Sequence, residues 1–395
     1  MVDESSLLSS HQMNRLLNRA HAQKVDRVVF IGDQRQHHAI EAGRPIHQML
    51  QEGMTVARLD TIRRQRDPHL RHAVALAAEG RIADALTVLE KEHRIHEITK
   101  PEDRYHTIAK QYLAAHEARR KVLAVSTANE ERRQLNCAIR DQLRSRDHIA
   151  DKGIERTVLI NRNFTKAQRT RAGNYETGDV IRYRRGSKKL GIPRGGYAAV
   201  EAVDRERKRI LVRADDGRTL QYNPTRPLGV EVFRAERRTF AVGDRIQFRA
   251  PDLALRVANG EFATVLRIDN AKAILRTDTG REVTAALSRL RHVDYGYAST
   301  SHSSQGATVD RVIVNVDTLR SIELVNRKQF YVSISRARDG LTIYTNDRES
   351  LRHVVNRDRE KSVALEQRRT PIQPQLRQAP EIQRRTIDHG RGMRR

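Results

Sequence analysis

Two short segments hold the residue types best suited to chemistry. Tyr297-Ala298-Ser299-Thr300-Ser301-His302-Ser303-Ser304-Gln305-Gly306 crowds hydroxyls, an imidazole and a carboxamide into one polar run that ends in glycine. Further on, Tyr331-Val332-Ser333-Ile334-Ser335-Arg336-Ala337-Arg338 closes a helical pattern with arginines. A guanidinium presents a fixed fork of donors and is always charged, which suits phosphate. The chain begins Met1-Val2-Asp3-Glu4. In nucleotide-hydrolysing motors a buried strand ends in such a pair, where Asp holds Mg²⁺ and Glu orients the attacking water. A strand usually needs ~5–6 residues, and only Met1 and Val2 precede the acids here. This suggests a domain cut through its own sheet, or a reading frame begun too late. Taken alone, the two acids could equally cap the helix that follows.

These groups need elements to hold them. Val309 to Val316 and Leu341 to Tyr344 read as β-strands flanking the arginine-ended helix, which makes an α/β unit. Ligands of such sheets bind at the carboxyl ends of the strands. Near the N-terminus, Leu7 to Ala22 reads as a helix with Leu7, Met13, Leu16, Leu17 and Ala20 on one face. Val28 to Ile31 is an apolar run of buried parallel-strand type that ends in Gly32-Asp33-Gln34-Arg35-Gln36. A strand over Thr55 to Leu59 is expected before Asp60-Thr61-Ile62-Arg63-Arg64-Gln65. Helices follow over Leu70–Ala78, Ile82–Leu89 and Asp103–His116, with Gly80 breaking the first two and a short strand at Ile95–Ile98. Val122 to Val125 is a buried strand, and Thr127 or Asn129 could cap the next helix, which carries Leu135, Ile139 and Leu143. Cys137, the only cysteine, is expected in the core of that helix, so neither a disulfide framework nor a cysteine zinc site exists.

Past Gly178 the texture changes to short alternating strands, and two stretches repeat each other. Thr177-Gly178-Asp179-Val180-Ile181-Arg182-Tyr183-Arg184 matches Val242-Gly243-Asp244-Arg245-Ile246-Gln247-Phe248-Arg249. Gly196–Val200 matches Gly260–Val265, and Asp216-Gly217-Arg218 matches Thr279-Gly280-Arg281. Each unit is expected to form a small SH3-like barrel. Arg182, Arg184, Arg185, Lys188 and Lys189 read either as a DNA-facing basic edge or as charges protecting an edge strand.

The Tyr297–Gly306 and Tyr331–Arg338 segments resemble the last two signature motifs of RecD-like superfamily 1 helicases, in particular the helicase portion of TraI/MobF-type conjugative relaxases. The resemblance runs from residue 1 to about 350 and implies RecA-like motor domains. The first, over residues 1–66, is truncated; the second spans 67–177 and 294–350 around an inserted all-β double barrel at 178–293. It implies that Asp3 holds Mg²⁺ through ATP, that Glu4 positions water, and that Gln36 senses the γ-phosphate. Arg64, in preference to Arg63, and the arginine finger Arg336 would reach that phosphate. Gln305 and Gly306 match the turn linking nucleotide state to DNA grip, and Thr127, Thr300 and His302 match positions that hold DNA. Ser303 stands where many relatives have Lys, and Thr308 where many have an acid near the sugar. Both departures weaken the corresponding contacts.

Composition points the same way. With 75 Lys and Arg against 49 Asp and Glu, the 395 residues carry a formal charge of +26, which favours a polyanionic partner. No run reaches transmembrane length and no signal peptide opens the chain, so a membrane role is not expected and the cytoplasm is the expected location. Residues 351–395 read as a basic tail, without apolar periodicity after Gln367. Gly-x-x-x-x-Gly-Lys-Ser/Thr is absent, as is any Gly-Lys pair, so the amide cradle of a P-loop is missing. The sequence therefore reads as the C-terminal part of an ATP- and Mg-dependent DNA helicase of conjugation. Its partners would be single-stranded DNA, the missing relaxase and P-loop half, and other conjugation proteins. The alternative is a non-catalytic single-stranded-DNA-binding protein that keeps the fold without the ATP chemistry.

Overall fold

A computed structural model describes residues 1–33, 35–37, 43–59, 61–187, 191–225 and 229–357. The expected tail beyond 357, together with Lys188 and Lys189, lies outside these residues. The N-terminal part contains α1 (Ser10–Ala22) and α2 (Pro45–Gln51). Next come α3 (Pro68–Ala78), α4 (Ile82–Lys91), β1 (Ile95–Glu97), α5 (Pro101–Glu117), β2 (Val122–Ser126) and α6 (Asn129–Arg144). The β-rich middle runs through β3 (Gly153–Asn161), α7 (Lys166–Arg169), β4 (Asp179–Tyr183), β5 (Tyr197–Asp204), β6 (Arg209–Ala214), β7 (Thr219–Tyr222) and β8 (Val230–Ala241). It continues with β9 (Arg245–Phe248), β10 (Phe262–Ile268), β11 (Lys272–Thr277), β12 (Glu282–Ala286) and β13 (Val293–Tyr295). The chain then returns through β14 (Ala298–Thr300), β15 (Val309–Val316), α8 (Arg327–Ile334), β16 (Ala337–Thr345) and α9 (Arg348–Val355).

A parallel sheet of order β1-β16-β15-β2-β14 forms the α/β part. Its central strands β2 and β15 are covered on both faces, as continuous apolar runs require. On β2, Leu123 and Val125 pack with α3, α4, α8 and α9, while Val122 and Ala124 turn to the core made by α5 and α6. All five residues of this strand are buried, and their side chains enter the two cores in turn because successive side chains point to opposite faces.

The repeat seen in the sequence recurs in the hydrogen bonding. One antiparallel sheet runs β3-β8-β4-β5-β6-β7, the other β13-β9-β10-β11-β12. In each, a four-strand meander is joined at its first strand by the strand that follows the last. β5 bulges between Val200 and Ala202, and β10 between Val265 and Arg267. Gly178 N–H donates to Val200 O and Gly243 N–H to Val265 O, both at 2.9 Å. Asp179 and Asp244, equivalent and buried, accept the backbone N–H three residues back and bind Arg162 and Arg140 respectively. The units differ in their cores. The first has one of its own, built on Tyr175, Tyr183, Ile210 and Val232, whereas the second shares the core of α5 and α6.

Several expectations need correction. Antiparallel pairing starts at Gly153, ahead of Gly178, because β3 pairs with β8 through nine residue pairs. The expected Leu7–Ala22 helix is divided. A 3₁₀ turn covers Ser5–Leu7, and α1 starts only after Ser9, which makes a capping box with Gln12. Residues 55–59 form no strand, and Leu59 is 99% exposed, because no neighbouring strand among the described residues offers them a ladder. Val28–Ile31 does find a parallel partner, but only at Val2, so Val29 and Ile31 stay exposed instead of buried. Cys137 is exposed. Leu135, Ile139 and Leu143 define the buried apolar stripe of α6, and a position two residues from Leu135 turns ~200° away from it.

α6 carries a second buried stripe, and it is polar. Arg132 Nη2 donates to Asp294 Oδ2 at 2.9 Å. Asn136 Oδ1 accepts from the N–H of Tyr297 and Ala298, and its Nδ2 donates to Ala298 O. Arg140 makes a two-pronged pair with Asp244, which also accepts from Tyr297 Oη at 2.7 Å. Removing one partner of a buried ion pair costs about 3–5 kcal/mol. Asp244→Ala should therefore lose stability on that scale in urea unfolding. Glu155→Ala, which breaks the exposed pair with Arg237, should change it by less than ~0.5 kcal/mol.

Candidate functional site

The N-terminal part crosses the edge of the parallel sheet where β15 and β16 begin. Val2 N–H donates to Val29 O, Ile31 N–H to Val2 O and Ser5 N–H to Ile31 O, each at 2.8 Å. This short parallel pairing ends both runs side by side and so presents Glu4 and Asp33 together. Gly32 suits this close approach, because a Cβ would lie 2.8 Å from Ser5 Oγ and 3.0 Å from the Ser6 backbone nitrogen. Glu4 adopts a left-handed backbone, φ 50°, an uncommon conformation for such a side chain.

Both acids are met from the sheet side. Gln305 Nε2 donates to Glu4 Oε2 at 2.9 Å. Tyr331 Oη donates to Asp33 Oδ2 at 3.0 Å, and Gln36 Nε2 reaches the same oxygen at 3.2 Å. Burial first, and the Asp33 charge second, push the Tyr331 phenol up to about 12. Arg336 is 1% exposed and donates to Val332 O and Ser335 Oγ, with no carboxylate at ion-pair distance among the described residues. Burial, and then the charge of Arg64, lower its pKa to about 10, while Tyr331, Glu4 and Asp33 oppose the shift. It remains a cation at neutral pH.

Residues 64–66 hold the second guanidinium in place. Arg64 Nη1 donates to Ser335 O at 2.9 Å, and buried Gln65 donates to Ser335 O and Ala337 O at 3.1 and 2.7 Å. Arg66 N–H donates to Arg338 O at 2.9 Å. Two cations are thus fixed near each other, an arrangement that favours an anion between them. Gln36 Oε1 and Gln305 Oε1 are buried without a donor, so each can accept from a water or hydroxyl. Asp3 is exposed and accepts the Glu4 N–H. No cluster of three metal-ligating side chains occurs among the described residues. The site therefore fits a polyphosphate through its cations but does not by itself enclose Mg²⁺.

The expected DNA-side residues stand at the opposite edge. Thr300 ends β14 in register with Ser126 at the end of β2. The Thr127 hydroxyl is buried without a partner. Neither Thr127 nor Asn129 caps α6. Ala128 holds the cap position without a side-chain bond, and Asn129 already lies inside the helix. Ser126 Oγ instead donates to Glu131 Oε2 at 2.7 Å. From Thr300 the chain crosses to the start of β15. On the way Thr300 Oγ1 donates to Ser303 Oγ at 3.1 Å, and exposed His302 meets the His37 ring edge-on at 5.0 Å. Gly306, at φ +83°, turns the chain back. The expectation of a ligand site at the strand carboxyl ends thus holds for Thr127 and Thr300 in position only. The cluster of Arg336, Arg64, Glu4 and Gln305 lies at the amino ends of β15 and β16.

Sequence reading missed Gln65 and Tyr331 as positioning groups, although both lie inside the singled-out segments. It also missed Arg132 and Gln247, whose roles need contacts between distant parts of the chain. Of the expected basic edge, Arg182 and Arg184 share Glu231 at 3.7 and 3.9 Å.

Residues 1–100 match the AAA domain family and residues 295–344 the UvrD-like helicase C-terminal domain. The multifunctional conjugation protein TraI of Escherichia coli K12 is 24% identical over 92% of this chain and 23% of its own length. The conjugal transfer protein TraA of Rhizobium radiobacter is 23% identical over 93% of this chain and 26% of its own. The chain thus spans about a quarter of these relatives. A structure of two Pif1 helicases at forked double-stranded DNA aligns with TM-score 0.43 at 15% identity, covering 87% of this chain and 68% of that one.

If Gln65 pins residues 61–66 to the β16 edge, Gln65→Ala removes two hydrogen bonds of about 1 kcal/mol each. Tryptic cleavage after Arg63 and Arg64 should then speed up roughly tenfold or more, followed by peptide mass. Unchanged cleavage would mean the segment is held elsewhere.

Proposed function

We propose that this chain, which belongs to the RecD-like superfamily 1 helicases of TraI type, forms the arginine-bearing side of an ATP-driven DNA motor used in conjugative transfer. The observation that carries this reading is the buried Arg336 beside Arg64, facing Glu4 and Asp33 without an ion-paired carboxylate. Phosphoryl transfer depends on positioning and charge neutralisation. Arg64 and Arg336 would hold the γ-phosphate, Gln36 would contact it, Glu4 would orient water, and Asp3 would face Mg²⁺. Bound ATP and Mg²⁺ would supply the transferable phosphoryl group and neutralise its charge. Because the sequence has no Gly-Lys pair, a separate P-loop segment would supply the phosphate cradle, and the relaxase partner is assigned from the likeness to conjugation proteins.

The Gln305–Glu4 contact would pass nucleotide state to the Thr300–Gly306 run, and Thr127, Thr300 and His302 would hold single-stranded DNA. We read the two β meanders as paired SH3-like units inserted in the second motor domain. No helix among the described residues is long and apolar enough to cross a membrane. The missing Gly-Lys pair also favours a second reading, a non-catalytic single-strand binder.

The purified chain should bind single-stranded DNA with little sequence preference and hydrolyse no appreciable ATP. Log K should fall against log salt by about 0.7 per phosphate neutralised. DNA-stimulated hydrolysis abolished by Glu4→Gln would refute the incomplete-site reading. In a motor with its cradle present, Arg336→Ala should lower turnover by ~10³–10⁵-fold and leave DNA affinity nearly unchanged. Near-normal turnover would leave Arg336 a structural role only.

A further inference from the structure

Behind the Thr300–Gly306 run, three guanidinium groups gather around too few carboxylates. Arg132 on α6 and Arg238 on β8 both face Asp294, at 2.9 and 3.5 Å, and Arg238 also pairs with Glu236. Arg132 is 2% exposed, and its Nε and Nη1 are buried without an acceptor. The third, Arg249, directly follows β9 and has no carboxylate at ion-pair distance among the described residues. Its N–H donates to His292 O at 2.8 Å, and its Nη1 donates to Gln247 Oε1 at 2.8 Å and reaches Ser303 Oγ at 3.5 Å. Buried Gln247 also donates to Gly260 O at 3.2 Å, which fixes the carboxamide that orients Arg249. Burial, and then the Arg132 charge, lower the Arg249 pKa to about 10, opposed by Asp294. The group stays charged at neutral pH.

An unpaired guanidinium held in a partly dry site is costly unless an anion completes it. We propose that Arg249, Ser303 and Thr300 form a site for one phosphodiester group of single-stranded DNA, with Arg249 as its cation. This deepens the DNA-binding reading above and rests on it, while giving the β-rich middle a direct part in the contact. The three residues are each partly open to solvent, so a strand crossing that sheet edge can reach them. Ser303 Oγ already accepts from Thr300 Oγ1, which leaves its own proton free to donate. A phosphodiester has one charge and two free oxygens, matching one guanidinium and one hydroxyl.

The test uses the full chain and fluorescein-labelled oligothymidylate, with anisotropy read across a salt series. Arg249→Gln should weaken binding roughly tenfold, as losing a charge-assisted contact does. It should also lower the salt slope by about 0.7. Arg205→Gln, an equal charge change in the exposed β5–β6 turn, should do neither. Adding Ser303→Lys to Arg249→Gln should restore the slope, since a cation then returns to the same point from the other side. If Arg249→Gln fails to fold, as judged by circular dichroism, Ser303→Glu carries the test. It keeps Arg249 paired within the protein and should give the same loss. A parent that binds, with both single variants matching it in affinity and slope, would overturn this site and leave the DNA-binding reading intact. A parent that does not bind oligothymidylate would overturn both.

Discussion

The polar stripe of α6 is the constraint on which the rest of the structure depends. Arg132, Asn136 and Arg140 recur every four residues, so they share one face of the helix. That face is buried against β13, β14 and the approach to β9. Each residue satisfies groups that burial would otherwise leave unpaired. Asn136 alone meets the N–H of Tyr297 and Ala298 and the carbonyl of Ala298. Buried ion pairs seldom add much net stability, because desolvation offsets the attraction. Here they fix where the antiparallel sheet of the second β unit joins the parallel sheet.

From that junction the chain passes directly into the Thr300–Gly306 run. Distant parts of the molecule converge on it. Glu4 meets Gln305, His37 meets Ser301 at 3.1 Å, and Arg249 meets Ser303. The run also spans the sheet, from the carboxyl end of β14 to the amino end of β15. A displacement at either edge must be absorbed by these few residues, since the strands on both sides are packed on both faces. The run thereby connects the edge that carries Glu4 and Arg336 to the edge that carries Thr127 and Thr300.

Charge completes the picture. Most arginines with buried side chains are matched locally, as Arg104 is by Asp317 and Asn315, and Arg140 by Asp244. Buried Arg336 and partly open Arg249 have no carboxylate at ion-pair distance among the described residues. An excess of +26 spread over a surface would raise nonspecific affinity for any polyanion. Arg336 and Arg249 are instead held in fixed orientations, by Val332 O and Ser335 Oγ and by Gln247 Oε1 respectively.

The sequence by itself determined the local elements and the repeat. Apolar patterning placed α3, α4, α5 and β2, and the Gly-Asp pairs at 178–179 and 243–244 marked equivalent units whose second strands share even their bulges. Glu4, Gln36, Arg64, Gln305 and Arg336 stand out through the resemblance of their segments to helicase motifs. Tertiary structure decided the rest, for one physical reason: the environment of a side chain depends on what packs over it. Thr55–Leu59 has the composition of a strand but no neighbour to pair with among the described residues, and Val29 and Ile31 lie beside a strand partner yet stay exposed. Cys137 looks like core and faces outward. Arg132, Asn136 and Arg140 look like a solvated helix face and lie buried, because the acceptors that make their burial tolerable come from residues more than a hundred positions away.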